Sequence, residues 1–93
     1  MSEENDRRLA QFLVTVAREL AQKEQALAQS STYDDILTRQ RCLESIAGTA
    51  KHPMVRQYQP SQANKMALYV HNKRPIIQEK LTEAQQGLQP KLI

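Results

Sequence analysis

Residues 9–27 of the chain read LAQFLVTVARELAQKEQAL, and they carry its strongest structural signal. Residues three and four apart share one face of an α-helix, so large apolar residues at this spacing predict an amphipathic helix with a coiled-coil-like stripe. Phe12 and Ala17 widen this stripe, whereas Glu24 interrupts it and predicts that the helix ends there or emerges into solvent. The stripe consists of Leu9, Leu13, Val16, Leu20 and Leu27.

Polar residues mark both ends of this first helix. Ser2 is placed to cap it, and three acids follow within the first turn, where the helix dipole favours negative charge. Residues 30–32, all Ser or Thr, break the helical pattern. We therefore expect the helix to span about 3–29.

The segment after this break predicts a second helix, about 33–51. Thr32 and Asp35 match a capping box, in which each side chain bonds the backbone N–H of the other residue. Pro53 disfavours helical geometry at His52 and so ends the helix. The predicted buried face comprises Ile36, Leu43, Ile46, Ala47 and Ala50.

Prolines divide the remainder of the chain. We predict that residues 52–60 form a loop whose apolar side chains fold back on the helices. Helices at about 61–73 and 75–86 follow, although Pro75 is equally compatible with a kink in one long helix. A short apolar tail, 88–93, comes after the helix stop at Gly87. The predicted buried residues are Met54, Val55, Tyr58, Ala63, Met66, Ala67, Val70, Ile77, Leu81 and Ala84.

These elements predict an all-α fold in which residues 1–93 make a single helical domain. Short connections between long helices favour an antiparallel bundle of three to four helices. Leu, Ile, Val and Phe number only 20 of the 93 residues, which predicts a thin core. A helical hairpin completed by dimerisation is therefore the main variant of this fold, and a protein partner or homodimer is expected.

The sequence contains no motif that indicates catalysis or metal binding. Cys42 is the only cysteine, and His52 and His71 lie 19 positions apart with no further ligand at helical spacing. The carboxylate pairs are explained by helix capping and by a solvated helix face, and no glycine-rich phosphate loop is present. We therefore predict a protein that is not an enzyme and takes no cofactor, metal or small-molecule substrate.

Charge and hydropathy predict a cytoplasmic protein without a membrane segment. The acidic start does not match a secretory signal, and no apolar run approaches the ~20 residues that span a bilayer. Residues 1–50 carry a net charge of −2 and residues 51–93 a net charge of +5. This asymmetry indicates an acidic partner, either a protein or a nucleic acid.

Two function classes remain. Our preferred hypothesis is a small non-enzymatic interaction protein, that is, an adaptor, a chaperone-like protein or a regulatory subunit that binds another protein through helix faces. Its candidate residues are the apolar positions that exceed the needs of one core. They are Leu9, Leu13, Leu20, Leu27, Leu37 and Leu68.

The alternative is a nucleic-acid-binding regulator that uses the basic C-terminal half. A helix face with Lys, Arg and Asn side chains suits contacts to phosphates and base edges in a major groove. However, about nine residues and two prolines separate the second and third helices, which departs from the short turn of a helix-turn-helix. The candidates are Lys65, Tyr69, His71, Asn72, Lys73 and Arg74.

Overall fold

A computed structural model describes residues 2–88, which form four α-helices and no strand. Helix α1 spans Glu3–Ala26, α2 spans Tyr33–Lys51, α3 spans Pro53–Tyr58 and α4 spans Pro60–Leu88. The predicted all-α class is confirmed, and the packing of these helices within one chain makes the fold a small helical bundle. None of the helices in this part of the chain has the length and apolar character to cross a membrane.

The predicted caps form, with one difference. The Ser2 hydroxyl accepts a hydrogen bond from the Asn5 backbone N–H at 3.1 Å, and the Thr32 hydroxyl accepts one from the Asp35 N–H at 3.3 Å. The reciprocal bond from Thr32 N–H to the Asp35 side chain was predicted wrongly. That N–H donates instead to the hydroxyl of Ser30, in the preceding loop, at 3.3 Å.

Residues 53–58 form a short helix, so the prediction of a loop over 52–60 was wrong. Pro53 ends α2 and also starts α3, because proline is suited to the first position of a helix. His52 caps the new helix, with its Nδ1 accepting the Met54 backbone N–H at 3.1 Å. The prediction that the apolar residues here fold back is confirmed: Val55 is fully buried, and Met54 and Tyr58 pack against the core.

Helix α4 runs continuously through Pro75, which corrects the division into helices at 61–73 and 75–86. Proline removes one backbone hydrogen bond, here to the carbonyl of His71. The Pro75 ring is exposed, and Ile77 and Leu81 beyond it are buried in the core, so packing holds the helix together across the proline. The predicted apolar tail over 88–93 lies, apart from the backbone of Leu88, outside the described residues.

The buried face of α1 is rotated from the predicted one. The core contains Ala10, Val14 and Ala17, with Ala21 packed against it. Each of these residues follows a member of the predicted stripe by one position, which corresponds to about 100° around the helix. Leu13 and Leu20 of the predicted stripe pack against the core as partly buried residues, whereas Leu9 is exposed and Val16 lies outside the core cluster. Alanines occupy the interface because their small side chains let the helix approach its neighbours closely.

The faces predicted for α2 and α4 are largely confirmed. All five apolar residues predicted for α2 are buried, as are Ala63, Met66, Val70, Ile77 and Leu81 in α4, whereas Ala84 is partly buried. Ala67 is exposed, contrary to the prediction, because it lies on the side of α4 that faces an open groove.

Helices α1 and α4 extend past each other in opposite directions along α2. The side chain of Tyr69 contacts Glu24, which sets these two residues at the same level of the bundle. From this level α1 extends about 32 Å toward its start and α4 about 29 Å toward its end, at ~1.5 Å per residue. The long axis of the molecule measures 64 Å, against 20 and 18 Å across it. Three long helices therefore lie side by side only in the middle of the molecule.

Candidate protein-binding surfaces and a buried ion pair

The outer face of α1, defined here as Leu9, Phe12 and Val16, lies outside the packed core. Phe12 is the only phenylalanine of the chain, and 63% of its surface is exposed. Leu9 is 43% exposed, and Val16 is partly exposed. These residues occur at i, i+3 and i+7, so they lie on one side of the helix. A helix face of this kind supplies an aromatic anchor and aliphatic neighbours for contact with another molecule.

The other apolar candidates are distributed over the molecule. Leu13, Leu20 and Leu37 are partly buried and pack against the core. Leu27 is partly buried at the end of α1. Leu68 is 60% exposed on α4. The six residues therefore do not form one surface, and only Leu9 and Leu68 are exposed.

The six candidate residues for nucleic-acid binding also lie on different parts of the surface of α4. Lys65 and Asn72 are exposed on α4, and the Lys73 ammonium lies 5.7 Å from the centroid of the Tyr69 ring. The Tyr69 hydroxyl points inward and donates to the carboxylate of Glu24, so this side chain takes part in contacts within the bundle. The two remaining candidates, His71 and Arg74, line a groove elsewhere on α4. Arg74 also binds the carboxylate of Glu44 at 3.0 Å.

This groove, called here the α2–α4 groove, lies between α2 and α4 and has a volume of about 750 Å³. Its floor contains Ala47, Ala50, Ala67 and Val70, so it is mainly apolar. Its lining residues include no aspartate or glutamate, whereas the lining basic residues are Lys51, Arg56, His71 and Arg74. The groove thus combines an apolar floor with a cationic rim.

A buried ion pair joins α1 to α2 beside the middle of α4. The Arg39 Nε donates to a Glu24 carboxylate oxygen at 2.7 Å, and these residues are 2% and 0% exposed. The Tyr69 hydroxyl donates to the other oxygen of the same carboxylate. The expectation that Glu24 ends the stripe or points into solvent was wrong, because its two partners compensate for the loss of water around the carboxylate.

Burial, together with the hydrogen bond to Glu24, raises the pKa of Tyr69 to about 12. The phenol therefore remains protonated and continues to donate to Glu24 throughout the neutral range. The raised pKa also makes the stability of the fold depend on pH. A folded-state pKa above the unfolded value of about 10 favours folding below pH 10, and this contribution is lost as the pH rises through the folded pKa.

We expect Tyr69→Phe to remove this alkaline dependence. The variant loses a hydrogen bond to a carboxylate, so it should be less stable than wild type at pH 7 by roughly 1.5–3 kcal/mol. As the pH rises from about 10 toward 12, the wild type should lose stability more steeply and the difference should shrink. Urea unfolding of both proteins at a series of pH values measures the two curves. A constant difference between them up to pH 12 would contradict the assignment.

Two residues of types that often carry chemistry, Cys42 and His52, have structural surroundings in this fold. Cys42 is buried, and desolvation raises the pKa of its thiol, which disfavours the nucleophilic thiolate. Within residues 2–88, no group of three or more His, Cys, Asp or Glu side chains is arranged to hold a metal ion. His52 is engaged as the cap of α3.

Sequence reasoning missed both the groove and the ion pair. The groove forms from alanines of two helices that a search for large apolar residues passes over. Glu24 lies 15 positions from Arg39 and 45 from Tyr69, so no local spacing connects them. The one available signal was a charged residue in an apolar stripe, Glu24, facing another helix with an arginine among its apolar positions.

Comparison with models of protein families, with curated proteins and with solved structures gives no match for this chain.

Proposed function

We propose that this protein acts as a small non-enzymatic interaction protein, an adaptor or regulatory subunit that binds another protein through the outer face of α1. The observation that carries the proposal is the exposure of Phe12 beside Leu9 on a helix whose core side is lined by alanines. Aromatic residues are enriched among those that dominate binding energy at protein interfaces. The outer face of α1 combines an aromatic side chain with aliphatic ones, and it offers apolar surface that is not buried in the core.

The exposure of this face means that a substitution there can test binding without disturbing the fold. Because Phe12 is exposed, replacing it removes little buried area, and surface substitutions of this kind usually change stability by less than about 0.5 kcal/mol. Ser and Phe also have similar helix propensities. A Phe12→Ser variant should therefore retain the helical fold and lose the contact.

Photo-crosslinking tests the proposal directly. Replacing Phe12 with p-benzoylphenylalanine should give a specific adduct with one protein in extracts of the source cells, and excess unlabelled wild type should compete it away. Unlabelled Phe12→Ser should compete at least about tenfold less well, as expected for the loss of a central aromatic anchor. The matched control carries the photoreactive residue at Ser45, which is exposed on α2.

Two results would count against the proposal. One is an adduct yield at position 12 that does not exceed the yield at position 45. The other is equal competition by wild type and by Phe12→Ser. An adduct between two copies of the chain would assign the face to homodimerisation instead.

The alternative hypothesis, a nucleic-acid-binding regulator, has less support from the geometry. Lys65 and Asn72 are exposed on α4, but Tyr69 is engaged with Glu24, and His71 and Arg74 line the α2–α4 groove. A nucleic acid would therefore meet two separate groups of candidate residues. It is a competing outcome in the experiment on the groove described below.

A further inference from the structure

The α2–α4 pair has two sides, and α1 lies on one of them, mainly against α2. On that side Ala17 and Ala21 of α1 lie near Ile46 of α2 and Met66 and Tyr69 of α4. On the other side lies the α2–α4 groove, whose lining contains no residue of α1. The groove is therefore the counterpart, across the helix pair, of the surface on which α1 packs.

We propose that the α2–α4 groove binds an amphipathic helix of another protein, with acidic residues flanking its apolar face. This site shares no residue with the outer face of α1, so the inference goes beyond the proposed function and stands or falls separately from it. Its three supports are the apolar floor, the charge of the rim and the length of the groove.

The floor suits a helix. Ala47, Ala50 and Ala67 present only methyl groups, and small side chains let two helix axes approach to about 8–10 Å. Helix α1, whose buried residues include Ala10, Val14 and Ala17, already packs against α2, so contact through small side chains is in use within the molecule. An extended peptide is less suited, because it gains affinity from the open edge of a sheet and the groove is formed by helices.

The rim selects the charge of the partner. Lys51 and Arg56 are exposed and form no ion pair among residues 2–88. Arg74 is held by Glu44, which lies at the rim but is not part of the lining. Carboxylates on the two flanks of an incoming helix would meet this cationic rim, whereas lysines there would be repelled.

The length of the groove sets the size of the helix. Its lining runs along α4 from Ala63 to Gln78, which corresponds to about 22 Å at ~1.5 Å per residue. A bound helix of about four turns fills this length, with apolar residues at i, i+3, i+4 and i+7 on the floor. The lining contains no Phe, Tyr or Trp, the large aromatic side chains on which the bases of a single-stranded nucleic acid commonly stack.

The test uses a designed peptide as the probe. It is a fluorescein-labelled helical peptide of about four turns with Ala and Leu on one face and Glu on both flanks; in a matched peptide each Glu is replaced by Lys. Fluorescence anisotropy with full-length protein should show binding of the acidic peptide at least about tenfold tighter than that of the lysine peptide. In NMR spectra, the methyl signals of Ala47, Ala50 and Ala67 should shift on addition of the acidic peptide.

Charge reversal identifies the site. The double variant Lys51→Glu, Arg56→Glu should weaken binding of the acidic peptide about tenfold, because both changes place like charge at the rim. The control double variant Arg41→Glu, Lys65→Glu makes the same change in net charge at exposed positions outside the groove, and it should weaken binding by less than about threefold. Circular dichroism and thermal melting verify that both variants remain folded.

Several results would overturn the inference. Equal weakening by both double variants would mean attraction to overall charge, and absence of binding by the acidic peptide would exclude the proposed partner. If an oligonucleotide binds wild type and only the groove variant loses that binding, the groove is a nucleic-acid site. If sedimentation shows a dimer of wild type that only the groove variant dissociates, a second copy of the chain occupies it. Because Phe12 does not line the groove, Phe12→Ser should leave peptide binding unchanged, which separates this inference from the proposed function.

Discussion

Replacing Glu24 with alanine is expected to cost about 3–5 kcal/mol of the free energy of unfolding, because the substitution leaves the Arg39 guanidinium buried without its counter-ion. A domain of this length has a total stability of roughly 5–14 kcal/mol, so the loss is a large part of the whole. Urea unfolding followed by circular dichroism measures the change. Glu19→Ala is the matched control, since Glu19 is exposed on the same helix and its loss should cost less than about 0.5 kcal/mol.

A triple replacement separates the value of the ion pair from the cost of breaking it. Glu24→Leu, Arg39→Met and Tyr69→Phe together remove every polar group of the cluster and keep its volume roughly constant. Buried ion pairs replaced in this way often leave stability unchanged or raise it by about 1–4 kcal/mol. We therefore expect the triple variant to be at least as stable as wild type. A triple variant as unstable as Glu24→Ala would show that the pair itself stabilises the fold.

The second large effect is expected at Leu43, which lies at the centre of α2 and is among the largest fully buried side chains. Leu43→Ala should destabilise the protein by about 2–5 kcal/mol, because it removes buried methyl groups and leaves a cavity. Leu9→Ala is the same chemical change on the outer face of α1, and it should cost less than about 1 kcal/mol. Chemical unfolding of the two variants compares them directly. Similar losses would mean that the predicted stripe, rather than the alanine face of α1, is the true core side.

The contrast between Leu43 and Leu9 also shows what the sequence could reveal. In α2 the large apolar residues face the core, so periodicity predicts the buried face correctly. In α1 the buried apolar residues are Ala10, Val14 and Ala17, and the leucines Leu13 and Leu20 are only partly buried beside them. Periodicity records where bulky side chains repeat, whereas close helix packing in a thin bundle selects small ones. The sequence therefore predicted that α1 exists and where it starts, but not which face of the helix is turned toward the core.

Pro53 and Pro75 illustrate a second limit. Each proline predicts a break, but the effect of a break depends on what the following residues can bury. After Pro53 a six-residue helix forms, which is too short to show a periodic pattern. After Pro75 the buried Ile77 and Leu81 hold the chain in the same helix. Both outcomes depend on tertiary packing that local sequence does not encode.

The two candidate surfaces differ in how far the sequence could indicate them. The sequence predicted an apolar surface on α1, but of its candidates there only Leu9 lies on the outer face, and Phe12 and Val16 were not among them. The α2–α4 groove was not visible, because its rim draws Lys51 and Arg56 from one region and Arg74 from another. The only feature of the sequence related to the groove was the net positive charge of residues 51–93.

The opposed extension of α1 and α4 has a consequence for how the protein behaves in solution. Its Cα radius of gyration is 16.3 Å, whereas a compact chain of 93 residues has one of about 12 Å. By the same relation, a compact protein with the observed radius would contain roughly 190 residues, about twice the length of this chain. A monomer of this shape will diffuse more slowly than a compact protein of its mass and leave a gel-filtration column earlier, so its apparent mass will be too high. Its stoichiometry must therefore be read from a method that reports mass independently of shape, such as light scattering or sedimentation equilibrium.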